Sequence, residues 1–507
     1  MTADPGSNIS GAYSQLEEIF CRRTLISEAV GVLGWDTSVN MPPGGAAARA
    51  EQMATLRVMA HELVSDPQVA DLLEEATATA AQLNQWQSAN LREMRRAWLH
   101  ATAVPASLVA ALSRATAASE AAWRGARADA DFKALQPFLE EVLALTREAG
   151  AAKAQALDRP VYDALMDEYE PDADSVRVVA ILEDYAGFLP ELLDAVLAHQ
   201  ARQPDPVPPS GPFPIPAQRL LCRHMAETVG IDFDTARLDE SLHPFSGGVP
   251  EDSRITTRYH DGSFLDSMMG VLHESGHAMY ERGLPTAWRY QPVGDARGMT
   301  LHESQSLLVE MQVCRSREFF EWAAPVIART FAAEGPAWTP ANLHRLVTRV
   351  EPSLIRVEAD EVTYPAHIIL RTRLERAMIA GDLAVADLPG AWDDGMVELL
   401  GIRPPDDRLG CMQDIHWPDG AFGYFPTYSL GAMAAAQLAA AARAADPQIM
   451  PSIAKGDFGP LMTWLRPNVH NKASLITTDE LLVEATGKPY GADAFKDHLR
   501  RRYLEDA

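Results

Sequence analysis

Residues 273–277 read His-Glu-Ser-Gly-His. On a helix, imidazoles at i and i+4 lie on one face and can grip a single zinc ion, and the glutamate between them can take a proton from a water activated by that ion. The chemistry implied is metal-assisted hydrolysis. The surroundings support a helix: Asp261, Gly262 and Ser263 are helix-starting residues, and Phe264, Leu265, Met268, Met269, Val271 and Leu272 form a largely apolar run into His273. The pattern continues through Met279 and Tyr280, and Gly283 with Pro285 beyond it ends it. A core helix carrying two incidental histidines is the competing reading, and this context outweighs it.

Zinc needs a third protein ligand and an open fourth position. The residues three and six places after His277 are Tyr280 and Gly283, which excludes the extended HExxHxxGxxH pattern. The next acidic candidate on a good helix is Glu303, in Leu301-His302-Glu303-Ser304-Gln305-Ser306-Leu307-Leu308-Val309-Glu310-Met311, far enough from His277 for a loop and a return. Glu303 is preferred as the third ligand. His302, from the same turn but pointing about 100° away, is the rival.

These residues must be held by helices. The first two hundred residues are an almost continuous helical pattern rich in Ala, Leu, Glu and Arg, broken near Met41-Pro42-Pro43, Asp66-Pro67 and Val104-Pro105. Seven prolines between Pro204 and Pro216 read as a surface connector, and helix resumes at Ala217. Strands are expected at Leu242–Phe245 and Arg254–Tyr259. The expected fold is mostly α, with one small β-sheet beside the HExxH helix. Its expected organisation is a single unit over about 8–506: a helical lobe to about 203, the connector 204–216, and a zinc-binding lobe 217–506.

Composition limits the partners. With 47% hydrophobic and 22% charged residues over 507 positions, the chain has ordinary globular usage. A net charge of −26 repels phosphate backbones, so no nucleic-acid partner is expected. The N-terminus lacks a basic start and an apolar run, and Gln437 and Arg443 interrupt the Ala-rich stretch 432–445, so neither a secretory signal nor a membrane span is expected. The expected location is cytoplasmic. Four scattered cysteines, Cys21, Cys222, Cys314 and Cys411, give no CxxC pair and read as buried thiols.

Six segments taken together resemble a known family. His273-Glu274-Ser275-Gly276-His277, His302-Glu303-Ser304-Gln305, Asp252-Ser253-Arg254-Ile255-Thr256, His243-Pro244-Phe245, Ile355-Arg356-Val357-Glu358-Ala359-Asp360 and Gly410-Cys411-Met412-Gln413-Asp414-Ile415-His416-Trp417 are similar to the signature segments of the carboxypeptidase Taq family of thermostable zinc metallocarboxypeptidases. The resemblance runs from Trp35-Asp36 to Asn468-Val469-His470 and so covers nearly the whole chain. It implies a large helical metallopeptidase fold with a deep groove, a homodimer, and removal of single amino acids from peptides with a free C-terminus, with broad specificity. It implies one Zn²⁺ per chain held by His273, His277 and Glu303, a place that Co²⁺ could also take, with Glu274 as base and later acid.

Within that resemblance, His416, Tyr424 and Tyr428 are the candidates for stabilising the oxyanion. Arg356 is the candidate receptor for the terminal carboxylate, because a guanidinium offers two parallel donors. Asp360, four residues on, is expected to hold it. Arg254 is the weaker substrate-binding alternative. His243 is expected to pack, and Trp35 and Asp36 to pin the N-terminal lobe. Two other functions compete: an oligopeptidase cutting internal bonds, and a catalytically silent peptide-binding protein, against which an intact Glu274 argues.

Overall fold

The computed structural model describes residues 11–505. The expected outer limits of the catalytic unit, residues 8 and 506, lie outside these. The chain opens with helices α1 (Gly11–Val39), α2 (Ala46–Ser65), α3 (Pro67–Ala78) and α4 (Gln85–Thr102). Their boundaries follow local chemistry. Asp66 accepts from the amide of Gln68 beside Pro67 at the start of α3, and Asn84 and Gln87 cap α4 reciprocally. Tyr13, Leu16, Phe20, Val69, Leu73 and Met94 close a core of their own.

Helices α5 (Ala106–Asp129), α6 (Phe132–Leu157), α7 (Val161–Met166) and α8 (Ser175–Gln200) belong to a second, larger core that continues to Tyr503. A buried charge seam joins the two cores. Arg297, fully buried, donates to Glu93 at 2.9 Å and Asp172 at 2.6 Å, and Arg96 grips both oxygens of Asp167 at 2.7 and 2.8 Å. Deleting one partner of such a seam strands a buried charge, which makes it a fixed joint.

The proline-rich connector has no regular secondary structure from 204 to 214, as its missing amide donors dictate. Asn342 holds it, accepting from the Val207 amide and donating to the Val207 carbonyl, each at 2.8 Å. Helix α9 (Ile215–Val229) follows, then strands β1 (Ala236–Glu240), β2 (Ser246–Val249) and β3 (Asp252–Thr257) in the order β1-β3-β2. β3 lies parallel to β1 and antiparallel to β2.

The strand expected from Arg254 onward is thus β3, but the one expected at Leu242–Phe245 is a connection between β1 and β2. Pro244 cannot donate to a ladder, and the segment turns on side chains instead: Ser241 Oγ donates to the His243 carbonyl at 2.6 Å, and Thr256 Oγ1 accepts from the Phe245 amide at 2.9 Å. His243 does not pack; it is exposed. β1 and β2 escape sequence reading because Ala-Arg-Leu-Asp-Glu and Ser-Gly-Gly-Val hold few strand-forming residues.

The HExxH segment lies on α10 (Leu265–Glu281), packed against α9, β3 and α11 (Gly298–Leu307). Helix α11 runs on as a π-helical stretch, Leu308–Cys314. Beyond it lie α12 (Arg317–Thr330), α13 (Pro340–Val347), α14 (Tyr364–Ala380), α15 (Leu388–Leu400) and α16 (Pro426–Ala445). The Ala-rich α16 is an interior helix, and among the described residues no helix is long and apolar enough to cross a membrane. Three of the four cysteines are buried thiols, and Cys21 is half-buried.

Candidate active site

Two helix backbones come unusually close at this site. A Cβ on Gly276 would stand 2.5 Å from the Gln305 carbonyl oxygen and 2.6 Å from Ser306 Cα, so glycine is what lets α10 and α11 touch there. The direction of α11 is fixed at its first turn, where the Thr300 amide donates to Glu170 at 2.9 Å and the Arg297 amide to the Tyr280 hydroxyl of α10 at 3.1 Å. On its far side, α16 supplies Gly431, where a Cβ would come within 2.8 Å of Glu303 Cβ and Cγ. Glu303 is wedged between two helices and aimed at the third. We expect Gly276→Ala to destabilise the fold by about 1–3 kcal/mol, a typical overpacking cost, because both obstructing atoms are backbone. Thermal melting with metal analysis checks this; an unchanged Tm together with full metal occupancy would refute the close-contact account.

His273, His277 and Glu303 present three ligand atoms all within 4.8 Å of one another. Glu303 Oε2 lies 3.8 Å from His273 Nε2 and 3.4 Å from His277 Nε2. Ligands about 2.0–2.1 Å from a tetrahedral zinc stand about 3.3–3.4 Å apart, so the donor set fits zinc in both chemistry and spacing. His302 is turned away from this point: its Nδ1 meets His277 Nδ1 at 2.6 Å, and its Nε2 meets Glu281 at 2.8 Å. His273 is steadied in the same manner, its Nδ1 on Glu310 at 3.0 Å, with Arg315 on the other oxygen of Glu310 at 2.5 Å. Such partners fix ring orientation and tautomer.

The protons of the cluster follow from burial and neighbours. Burial would lower the His273 imidazole, but Glu303 and Glu310 lift it to about 10, so a cation competes with a proton there. Burial, then the repulsion of His302 and His273, lowers His277 to about 4 against the pull of Glu303. Burial pushes the Glu303 carboxyl up, and the two imidazoles more than offset it, leaving it below the usual value. Glu274 is buried beside them; burial lifts its carboxyl to about 7, His273 pulling against the rise and Glu303 adding to it.

A second cluster stands beside the first. Arg356 is buried, with Nε and Nη2 on Asp414 at 3.2 and 2.9 Å, and Arg371 donates to the other oxygen of Asp414 at 2.6 and 2.8 Å. The expected Arg356–Asp360 pairing is not formed. Arg356–Glu358 is a single 3-10 turn and Ala359 is extended, so i+4 spacing does not align the two side chains. Asp360 instead accepts from the amides of Glu351, Val362 and Thr363 at 2.9–3.0 Å.

Arg356 Nη1 faces the Tyr364 hydroxyl at 3.3 Å, and its guanidinium lies 4.9 Å from the Tyr428 ring centre. Tyr428 packs edge-on against Tyr424, ring centres 5.1 Å apart, and its hydroxyl is 3.4 Å from His416 Nε2. Burial lowers His416 to about 4, so the ring is neutral near pH 7. Tyr364, Tyr424 and Tyr428 each feel the charges of both Glu303 and Arg356, so these rings lie near the metal-donor cluster and the buried arginine alike.

Arg254 is elsewhere committed. It grips Asp252 at 2.7 Å and stacks 4.2 Å over Trp35, with Arg237 also on that ring at 4.6 Å. Asp36 pairs with Arg49 of α2 at 2.6 Å, so Trp35 ties α1 to the sheet while Asp36 ties it to α2. Four site residues carried no role in the sequence: Glu310, Tyr364, Arg371 and Asp414. Glu310 was legible as two turns past Glu303, and Asp414 stood inside a quoted segment; Tyr364 and Arg371 had no signal.

The pattern of carboxypeptidase Taq (M32) metallopeptidases matches residues 15–503. The thermostable carboxypeptidase 1 of Thermus thermophilus is 38% identical over 97% of this chain and 98% of its own, and that of Pyrococcus furiosus 34% identical over 96% and 100%. The solved structure of Trypanosoma cruzi metallocarboxypeptidase 1 superposes with a TM-score of 0.95 at 39% identity, covering 97% of this chain and 99% of that one. With the donor cluster on α10 and α11 and relatives of this breadth, the chain belongs to the carboxypeptidase Taq (M32) metallopeptidase family and is a peptide-bond hydrolase.

Proposed function

We propose that this chain is a zinc-dependent carboxypeptidase that releases single C-terminal amino acids from peptides with broad specificity. His273, His277 and Glu303 would hold the ion, whose Lewis acidity lowers the pKa of a water from about 15.7 toward 7 and polarises a carbonyl. Glu274 accepts the proton of the water that attacks the scissile carbonyl and delivers it to the departing nitrogen. As charge grows on the carbonyl oxygen, Tyr424, Tyr428 and His416 are the donors on the facing wall, and losing one such donor typically costs about 2.7–4 kcal/mol of barrier. The family resemblance extends this proposal to a cytoplasmic homodimer, with Co²⁺ able to replace Zn²⁺.

The observation that carries the exopeptidase reading is Arg356: a buried guanidinium, fixed by Asp414, on the same wall as the tyrosines that feel Glu303. Asp414 anchors one edge and leaves Nη1 facing Tyr364, so a substrate carboxylate finds a positioned donor with little left to order. Arg371, on the opposite oxygen of Asp414, keeps that carboxylate from cancelling the charge of Arg356. Arg254, held by Asp252 and Trp35, is the fallback receptor.

The test compares a free-acid peptide with its C-terminal amide. The amide should be a poor substrate for the wild type. Arg356→Ala should lower kcat/KM for the acid by about 10-fold or more, the worth of a charge-assisted contact, and barely change the amide, so the two losses fail to add. Equal fold-losses on both substrates would assign Arg356 to holding the wall together, and rapid cleavage of the amide by the wild type would favour an internal-bond oligopeptidase.

A further inference from the structure

A groove of about 860 Å³ opens between the start of α12, the end of α16 and the C-terminal helical turn. Among the described residues its wall carries Arg317, Arg443, Arg501 and Arg502 with His344 and His498, and only two carboxylates, Glu318 and Glu505. That excess of cations is notable in a chain of net charge −26, where acidic counter-charges are plentiful. None of these side chains takes part in the metal cluster or the aromatic wall.

Among the described residues, three of the four guanidiniums make no ion pair. Arg317 is exposed and makes no hydrogen bond or ion pair among the described residues. Arg501 reaches only the Asp497 carbonyl among the described residues, at 3.4 Å. Arg443 donates from Nε to the Ala439 carbonyl at 3.1 Å, but its buried Nη2 has no partner among the described residues. A buried cationic donor left unsatisfied is costly unless something fills its place. Arg502, in contrast, is locked by Glu361 at 2.9 Å and by the carbonyls of Met311 and Gln312 at 2.6 and 3.2 Å, so the back wall is rigid. Burial, then the repulsion of Arg501 and Arg502, pushes Arg443 down to about 10 against the weaker pull of Glu318 and Glu361.

We infer that this groove binds a small polyanion bearing two or more phosphate groups, recognised by charge. Three uncompensated guanidiniums call for more than one negative group, and guanidinium forks match phosphate oxygens. Ser316, which caps α12, also lines the groove, and the positive end of that helix adds to the attraction. Phe, Tyr and Trp are missing from the lining among the described residues, so the charged groups rather than a large aromatic face set what is recognised. The site therefore takes inorganic polyphosphate and the phosphate tail of a nucleotide alike.

Calorimetric titration of the metal-loaded protein with tripolyphosphate, ATP and adenosine tests this. Tripolyphosphate and ATP should each saturate one site with comparable affinity, falling as salt rises, and adenosine should not bind. Arg443→Ala and Arg317→Ala should each weaken both ligands by about 10-fold or more. Arg317→Ala should keep the wild-type Tm and Arg443→Ala should not lower it, and both should keep peptide hydrolysis, since neither side chain holds a counter-charge among the described residues. Binding that ignores both substitutions would assign the polyphosphate to the metal centre and overturn the inference. So would the lack of saturable binding, a strong preference for ATP over tripolyphosphate, or variants that alter sedimentation without altering binding, which would make the groove a contact between copies.

Discussion

Glu274→Gln retains its metal and loses hydrolysis by at least about 10³-fold, because proton transfer by a positioned base is worth about 10²–10⁴ and the orientation of the attacking water goes with it. The amide keeps the length and shape of the side chain in a buried slot of α10, so the helix and its two imidazoles are undisturbed. What it removes is a group that can both accept and return a proton. Burial raises that carboxyl above the usual carboxylate value, the direction that lets it hold a proton between acceptance and release. Metal analysis with steady-state kinetics checks the expectation. Activity above about a tenth of wild type, with metal in place, would remove Glu274 from the role of base, since no general base is worth so little. Lost metal would make it a support for the cluster instead.

The HExxH helix was legible because its evidence is local: the apolar period, the starting residues before Phe264 and the glycine beyond Arg282 all lie within one short segment. What sets the site's geometry is not local. Whether Glu303 or His302 reaches the two histidines depends on how α11 rolls on α10, and that is fixed by Gly276 against Gln305 and by Glu170 at the first turn. Arg356 shows the same limit. Four-residue spacing pointed to Asp360, a sound inference on a helix, but a lone 3-10 turn breaks the spacing and Asp414, 58 positions away, takes the guanidinium. The sheet was half legible, since β3 carries Ile and two threonines whereas β2 forms with two glycines only because β3 lies beside it.

Glu303→Ala should empty the metal centre, and the comparison with His302→Ala makes the result specific. Removing Glu303 takes away one of three donors and the only carboxylate among them, leaving two imidazoles with too few ligands for a closed protein triad. His302 touches the far side of the His277 ring, so its loss frees that ring to rotate and should weaken the metal by about 10–100-fold, the usual effect of an outer-shell partner. After equilibration with buffered zinc, Glu303→Ala should therefore hold less metal than His302→Ala at every free concentration. Glu303→Gln should fall between Glu303→Ala and wild type, because its amide oxygen keeps the reach past Gly431 without the charge. If His302→Ala releases the ion while Glu303→Ala retains it, the third ligand is His302. That outcome would require α11 to roll by roughly the 100° that separates neighbouring residues on a helix. The backbone contact at Gly276 forbids such a roll, so the same result would also show that contact to be wrong.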